Sequence, residues 1–153
     1  MDAAAPPVEC FFCRSLEDRA AFEERGVYED DLLRATHPIE EEGPTFLGTV
    51  LVQTKRHAEG LAGLTDAEAE RLGWLVTRLS RALGTTVGAA WTYAYCFSEG
   101  YRHVHLFVDA RYPNLPAAHV RLGLHEWPDA PRGDPAAVRA LAHRLRAELA
   151  AAP

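Results

Sequence analysis

The sequence predicts an α+β domain built on a mostly antiparallel sheet, and three observations carry that expectation. Thr65-Asp-Ala-Glu68 opens a helix in which Leu72, Leu75, Val76, Leu79 and Leu83 recur at helical spacing. Thr45 to Thr54 is an uncharged run rich in β-branched and apolar residues, the pattern of a strand buried on both faces. Ala89 to Phe97 and Tyr101 to Asp109 alternate along their length as strands do. Strands clustered with few helices indicate α+β rather than a repeating βαβ chain.

Each element follows in order. Residues 1–9 are rich in Ala and Pro and read as a loose tail, leaving 10–153 as a single domain; domains run to about 100–200 residues. Ser15, with Glu17 and Asp18 close behind it, reads as a helix start and Gly26 as its stop. Val27–Asp30 and Leu32–Thr36 read as two short strands joined at an acidic turn. Pro38 to Pro44, carrying Glu40, Glu41 and Glu42, reads as a solvated loop, and Lys55-Arg56-His57 ends the Thr45–Thr54 strand. Thr65 and Glu68 form a capping box, and Gly84 is the expected stop of that helix. Trp91, Tyr93, Tyr95 and Phe97 give the next strand an aromatic face suited to a core or an interface. Asp134-Pro135 is a cap followed by proline at the first helical position, and Val138, Leu141, Leu145 and Leu149 form the inner stripe of the last helix.

Sixteen Lys and Arg stand against 22 Asp and Glu, a net charge of −6, which argues against a broad nucleic-acid surface. No apolar run of about 18 residues offers a membrane span, and the N-terminus lacks the basic and apolar regions of a secretory signal. The expected location is the cytoplasm. Three cysteines, Cys10, Cys13 and Cys96, are an odd number, which argues against a disulfide framework.

The chemistry concentrates in Arg102-His-Val-His-Leu-Phe-Val108. Side chains alternate across a strand, so His103, His105 and Phe107 share one face and Val104, Leu106 and Val108 the other. The two imidazoles are spaced about 6–7 Å along the strand. Two histidines on one side with aliphatics behind them mark a site rather than a core. Cys10 and Cys13 have the spacing that lets two sulfurs reach one tetrahedral metal. His57 ends a strand and His103 begins one, so both are candidates to complete the set. A redox pair is the rival reading, but Phe11 and Phe12 give no polar or basic help to a reactive thiolate. His119, His125 and His143 read as surface or structural residues.

These residues resemble the histidine-triad (HIT) family. His103-Val-His-Leu-Phe-Val108 is similar to its motif of alternating histidines and apolar residues, Cys10-Phe-Phe-Cys13 to the zinc knuckle that opens many members, and Val27-Tyr-Glu-Asp30 to their first strand. Leu47–His57 resembles their Lys-x-His strand, and Leu64–Glu70 the opening of their long helix. The resemblance implies a five-stranded antiparallel sheet with a long helix and a C-terminal helix, two subunits joining into a homodimer, and a nucleotide or nucleotidylated small molecule as substrate. His105 would be the catalytic nucleophile, attacking the α-phosphorus and forming a nucleotidyl-histidine that water or an acceptor resolves. Similarity to zinc-carrying relatives, galactose-1-phosphate uridylyltransferases among them, implies a structural Zn²⁺ on Cys10, Cys13, His57 and His103.

The motif is incomplete. Its third position is Phe107, which cannot hydrogen-bond a phosphate, and one lost donor of that kind costs roughly 3 kcal/mol of transition-state stabilisation. Upstream, Ser98 and Glu99 stand where relatives carry phosphate-touching residues, and Arg111 resembles the arginine that follows the motif. Ser98, Glu99, Phe107 and Arg111 are therefore the candidate substrate contacts. The expected activity is nucleotidyl hydrolysis or transfer; the alternatives are a non-catalytic nucleotide-binding protein and a specialised enzyme with an unusual substrate.

Overall fold

A computed structural model of the chain describes residues 10–151; the N-terminal tail expected at 1–9 lies outside them. Two short helices, α1 (Phe11–Ser15) and α2 (Arg19–Arg25), lead into β1 (Gly26–Glu29) and β2 (Leu33–Thr36). β3 (Thr45–Phe46) and β4 (Thr49–Thr54) precede the long helix α3 (Asp66–Val87). β5 (Trp91–Tyr95), β6 (His105–Arg111), β7 (Arg132–Gly133) and α4 (Pro135–Ala151) follow. The main sheet runs β1-β2-β4-β6-β5, every neighbour antiparallel, and β3 pairs with β7 in a separate ribbon.

Local chemistry sets the boundaries. Asp18, not Ser15, caps the helix that ends at Arg25: its side chain accepts from the Ala21 N–H at 2.9 Å, while Ser15 closes α1. The Thr45–Thr54 run is broken in two. Gly48 has φ +119°, and a Cβ there would lie 2.8 Å from that of Ala110, so the chain turns off the main sheet and Thr45–Phe46 pairs with β7. The Thr65–Glu68 capping box forms as expected. Gly84 does not stop α3, because nothing at that position requires a left-handed backbone; the helix runs on to a left-handed cap at Gly88, φ +71°. The last sheet strand begins later than expected, at His105, because the backbone before it bonds to the 54–58 segment: Val104 N–H to Ala58 O at 2.7 Å, and Thr54 N–H to Val104 O at 3.2 Å. It also runs two residues further, past Asp109 to Arg111.

The sheet has two unlike faces. Val50, Val52, Val108 and Ala110 pack with Leu75, Leu79 and Leu83 of α3 and Leu141 and Leu145 of α4 into the main core. The register places Gln53 beside His105, Leu51 beside Phe107 and Thr49 beside Asp109 on the opposite face. That face is covered at one end by α1 and at the other by a second apolar cluster of Phe46, Leu115, Leu124, Trp127 and Ala130. No helix among the described residues is long and apolar enough to cross a membrane.

Candidate active site and metal centre

Cys10, Cys13, His57 and His103 converge where α1 meets the ends of β4 and β6, with their ligand atoms all within 4.8 Å of one another. Cys10 Sγ lies 3.4 Å from His103 Nδ1, and Cys13 Sγ lies 3.5 Å from His57 Nδ1 and 3.6 Å from His103 Nδ1. A tetrahedral zinc with ordinary Zn–S and Zn–N bonds requires S···N edges of about 3.6 Å. The donor set and spacing therefore fit that metal.

The surroundings aim the donors. The other ring nitrogen of His103, Nε2, lies 2.8 Å from the Thr54 carbonyl oxygen. A carbonyl only accepts, so the proton sits on Nε2 and Nδ1 is left as the lone-pair donor toward the sulfurs, the outer contact usual for metal-bound imidazoles. Burial, against the Thr54 hydrogen bond and with His57 and His105 adding, holds this imidazole below its ordinary pKa. Burial first, then the hydrogen bond and charge of Cys10, push the Cys13 thiol above its ordinary value, the opposite of a reactive redox cysteine. His57 is positioned through its neighbour: Arg56 is gripped by both carboxylate oxygens of Glu68, at 3.0 and 2.6 Å, and Glu68 also accepts from the Thr65 N–H.

His105 is built the other way round. Its Nδ1 lies 2.7 Å from the His103 carbonyl oxygen, so Nδ1 carries the proton and Nε2 has the free lone pair. Phe12, between the two cysteines, stacks on the imidazole at 4.2 Å with its plane 20° away. Gln53 holds that helix down, donating to the Phe12 carbonyl at 3.0 Å and accepting from Ser15 Oγ at 3.2 Å. His105 is 4% exposed as a result.

The remaining candidates are dispersed. Phe107 meets His105 edge-on at 6.0 Å and stacks on Tyr95 at 5.6 Å. Ser98 lies in the 96–104 loop against Cys96 Sγ, and Glu99 is exposed there. Arg111 is six residues along β6 from His105, roughly 20 Å, and its guanidinium donates to the Tyr112 carbonyl. Arg102 is exposed and pairs with Glu59 at 2.8 Å. Trp127 is buried in the second apolar cluster.

Sequence reasoning passed over one group. Asp109 is fully buried on the face that carries His105 and Phe107, and it binds His125 from the turn at Arg121–Glu126, Nε2 to Oδ2 2.9 Å. The available signal was the strand's own period: a carboxylate two residues beyond Phe107, opposite aliphatic Val108 and Ala110.

No protein-family model and no curated protein matches the chain. Solved structures do. A Hit-like protein involved in cell-cycle regulation from Bartonella henselae superposes with a TM-score of 0.67 at 19% identity, over 94% of this chain and 99% of that one. A Zn-bound histidine triad family protein from Mycobacterium smegmatis gives 0.67 at 22%, over 93% and 94%. A hypothetical histidine triad nucleotide-binding protein from Sulfolobus tokodaii gives 0.67 at 20%, over 92% of each chain. The fold is thus the one found in histidine-triad proteins: a five-stranded antiparallel sheet with a long helix and a C-terminal helix.

Proposed function

We propose that the chain is a nucleotidyl hydrolase or transferase of histidine-triad type, with His105 as its nucleophile and a structural zinc on Cys10, Cys13, His57 and His103. The observation that carries the reading is the hydrogen bond from His105 Nδ1–H to the His103 carbonyl, which fixes the tautomer with Nε2 free. The Nε2 lone pair attacks the α-phosphorus of a nucleotide, a P–N bond forms, and the bond to the leaving group breaks with its electron pair. Water then attacks the same phosphorus and gives up a proton to the expelled group or to solvent, the P–N bond breaks with its electron pair returning to Nε2, and a nucleoside monophosphate leaves while the original proton stays on Nδ1.

Four protein donors leave the metal no open position, which makes its role structural. The fold shared with a Zn-bound relative supports that assignment. Cys10 and Cys13 would hold the zinc at the start of α1 and so anchor that helix, while the Phe12 ring stacked on His105 would have to move aside for substrate to reach Nε2. A cavity of about 340 Å³ beside Gln53, edged by Phe11, Arg14, Asp18, Arg25 and Leu51, offers a nucleotide apolar surface and the Arg14 and Arg25 guanidiniums, while Arg34 on the same edge is committed to Glu29. The edge strand β5, with Trp91 71% exposed, is the surface through which two copies pair.

Incubation with AMP-phosphoramidate, diadenosine polyphosphates and nucleotide sugars should release a mononucleotide, and His105→Asn should abolish the release. A second reading, nucleotide binding without turnover, is favoured by the burial of His105 beneath Phe12; tight binding of these compounds without release would establish it.

A further inference from the structure

Asp109 is costly where it stands. It is a carboxylate with no exposure, and burying a charge is costly unless hydrogen bonds compensate it. Three donors converge on it: Thr49 Oγ1 on Oδ1 at 2.6 Å, and the Tyr95 hydroxyl and His125 Nε2 on Oδ2 at 2.7 and 2.9 Å. Two of these donors come from adjacent strands. The third comes from a turn that is otherwise fastened elsewhere, with the Arg132 guanidinium on the His125 carbonyl and Leu124 and Trp127 buried on either side. The outcome is an imidazole held in one place and one tautomer. Its Nε2–H is committed to the carboxylate, its ring meets Phe46 edge-on at 5.1 Å, and its side chain is still 35% exposed. Among the described residues nothing bonds to its Nδ1.

That imidazole lines a cleft of about 310 Å³ on the far side of Phe107 from His105. The walls include Ile39, Phe46, Tyr95 and Phe107, with Phe107 and Tyr95 stacked on each other. No lysine or arginine lines it, and Glu40 does, so an anionic group is disfavoured there. Aromatic walls with one ring nitrogen that bonds to none of the described residues suit an uncharged planar ring that can hydrogen-bond to it.

We infer that this cleft is a second substrate subsite, which takes a planar heteroaromatic ring in the leaving group and hydrogen-bonds it through His125 Nδ1. The inference rests on the nucleotidyl-transfer reading, because His105 on the near side of Phe107 then holds the phosphorus and the group beyond Phe107 is the one expelled. It also gives Phe107 a positive role: the position that lacks a phosphate donor supplies the wall of a ring site. Asp109 is the positioning residue behind His125. The substrate class is two-ended, a nucleotide joined to a second ring-bearing group that spans roughly the four residues from His105 to Asp109, about 13 Å.

The test compares two substrates that share the adenylyl end: AMP-phosphoramidate, whose leaving group has no ring, and diadenosine triphosphate, whose leaving group carries an adenine with an exocyclic amine. His125→Phe and Asp109→Asn should lower kcat/KM for the second about tenfold or more relative to the first, the discrimination expected when a site loses a hydrogen bond to a ring. Equal losses on both substrates, or none, overturn the inference. Adenosine alone provides a readout that needs no turnover: with ¹⁵N-labelled histidine, its titration should shift the His125 ring signals, and the shift should survive His105→Asn. Adenosine that leaves the His125 signals unmoved overturns the subsite even if the protein is an enzyme. Adenosine that moves them while neither substrate is cleaved removes the catalytic reading and leaves the ring site standing. Circular dichroism identifies any variant that fails to fold, and His125→Gln then repeats the comparison.

Discussion

His103 and His105 stand two residues apart and each ties one ring nitrogen to a backbone carbonyl, yet they use opposite nitrogens. His103 commits Nε2 to Thr54 and turns Nδ1 toward two sulfurs; His105 commits Nδ1 to His103 and keeps Nε2 free. The same side chain thus becomes a candidate metal ligand at the knuckle end of one sheet face and a candidate nucleophile next to it. The choice is made by which carbonyl lies within reach, not by the residue type. Further along the face His125 repeats the device with a carboxylate in place of a carbonyl.

The largest expected effect breaks the knuckle end. Purified protein should contain stoichiometric zinc, and Cys13→Ser should lose it together with roughly 10 °C or more of Tm, because structural zinc contributes folding free energy outright. Metal-free protein with an unchanged Tm would refute that. His105→Asn should remove turnover while leaving zinc content and Tm close to wild type, which separates the two histidines. The conservative variant is needed because His105 is packed beneath Phe12 rather than lining an open pocket.

Phe12 links the two ends. Phe12→Ala should speed the reaction of His105 with diethylpyrocarbonate several-fold without loss of zinc, measured by peptide mapping. An unchanged rate would show that the Phe12 ring does not control access. Phe107→His should raise cleavage of AMP-phosphoramidate by roughly tenfold, part of the cost assigned to a missing phosphate donor, while cleavage of diadenosine triphosphate should gain less because the ring wall is lost.

Acid gives the smallest and most graded comparison. Thiolates and imidazoles must take up protons to release a metal, so zinc should leave at mild acidity. Glu29 behaves differently. Burial works to raise its pKa, but hydrogen bonds from Arg19 and Arg34 and the charges of Arg34 and Lys55 bring it down from 4.5 to about 2. A depressed carboxylate stabilises the fold above its unfolded pKa, and that contribution is lost as pH falls from about 4.5 toward 2. Tm against pH, with zinc release followed in parallel, should show two separate steps, and Glu29→Gln should flatten only the lower one.

The sequence made much of this legible where the signal is local. The Thr65–Glu68 box, the α3 and α4 stripes and the two histidines at period two are patterns within a few residues, and all reappear in the fold. The four metal-ligating candidates were also within reach, because the C-x-x-C pair is a local pattern, His57 and His103 stand at strand ends, and the resemblance to zinc-carrying relatives names the same set. The misread boundaries depend on distant neighbours: Gly48 turns because Ala110 lies against it, and β6 starts late because Val104 bonds to Ala58. Asp109 and His125 are 16 residues apart on unrelated elements, so no motif joins them. Arg111 shared the right face, but its distance along the strand takes it away from His105.

The central claim is that His105 Nε2 becomes covalently bonded to phosphorus. Rapid mixing of excess protein with diadenosine triphosphate or AMP-phosphoramidate, an alkaline quench that preserves phosphoramidate bonds, and peptide mass spectrometry test it directly. The account predicts one adenylyl group on the peptide containing His105, absent from His105→Asn. Turnover with no adduct on His105, or an adduct on another residue, would contradict it.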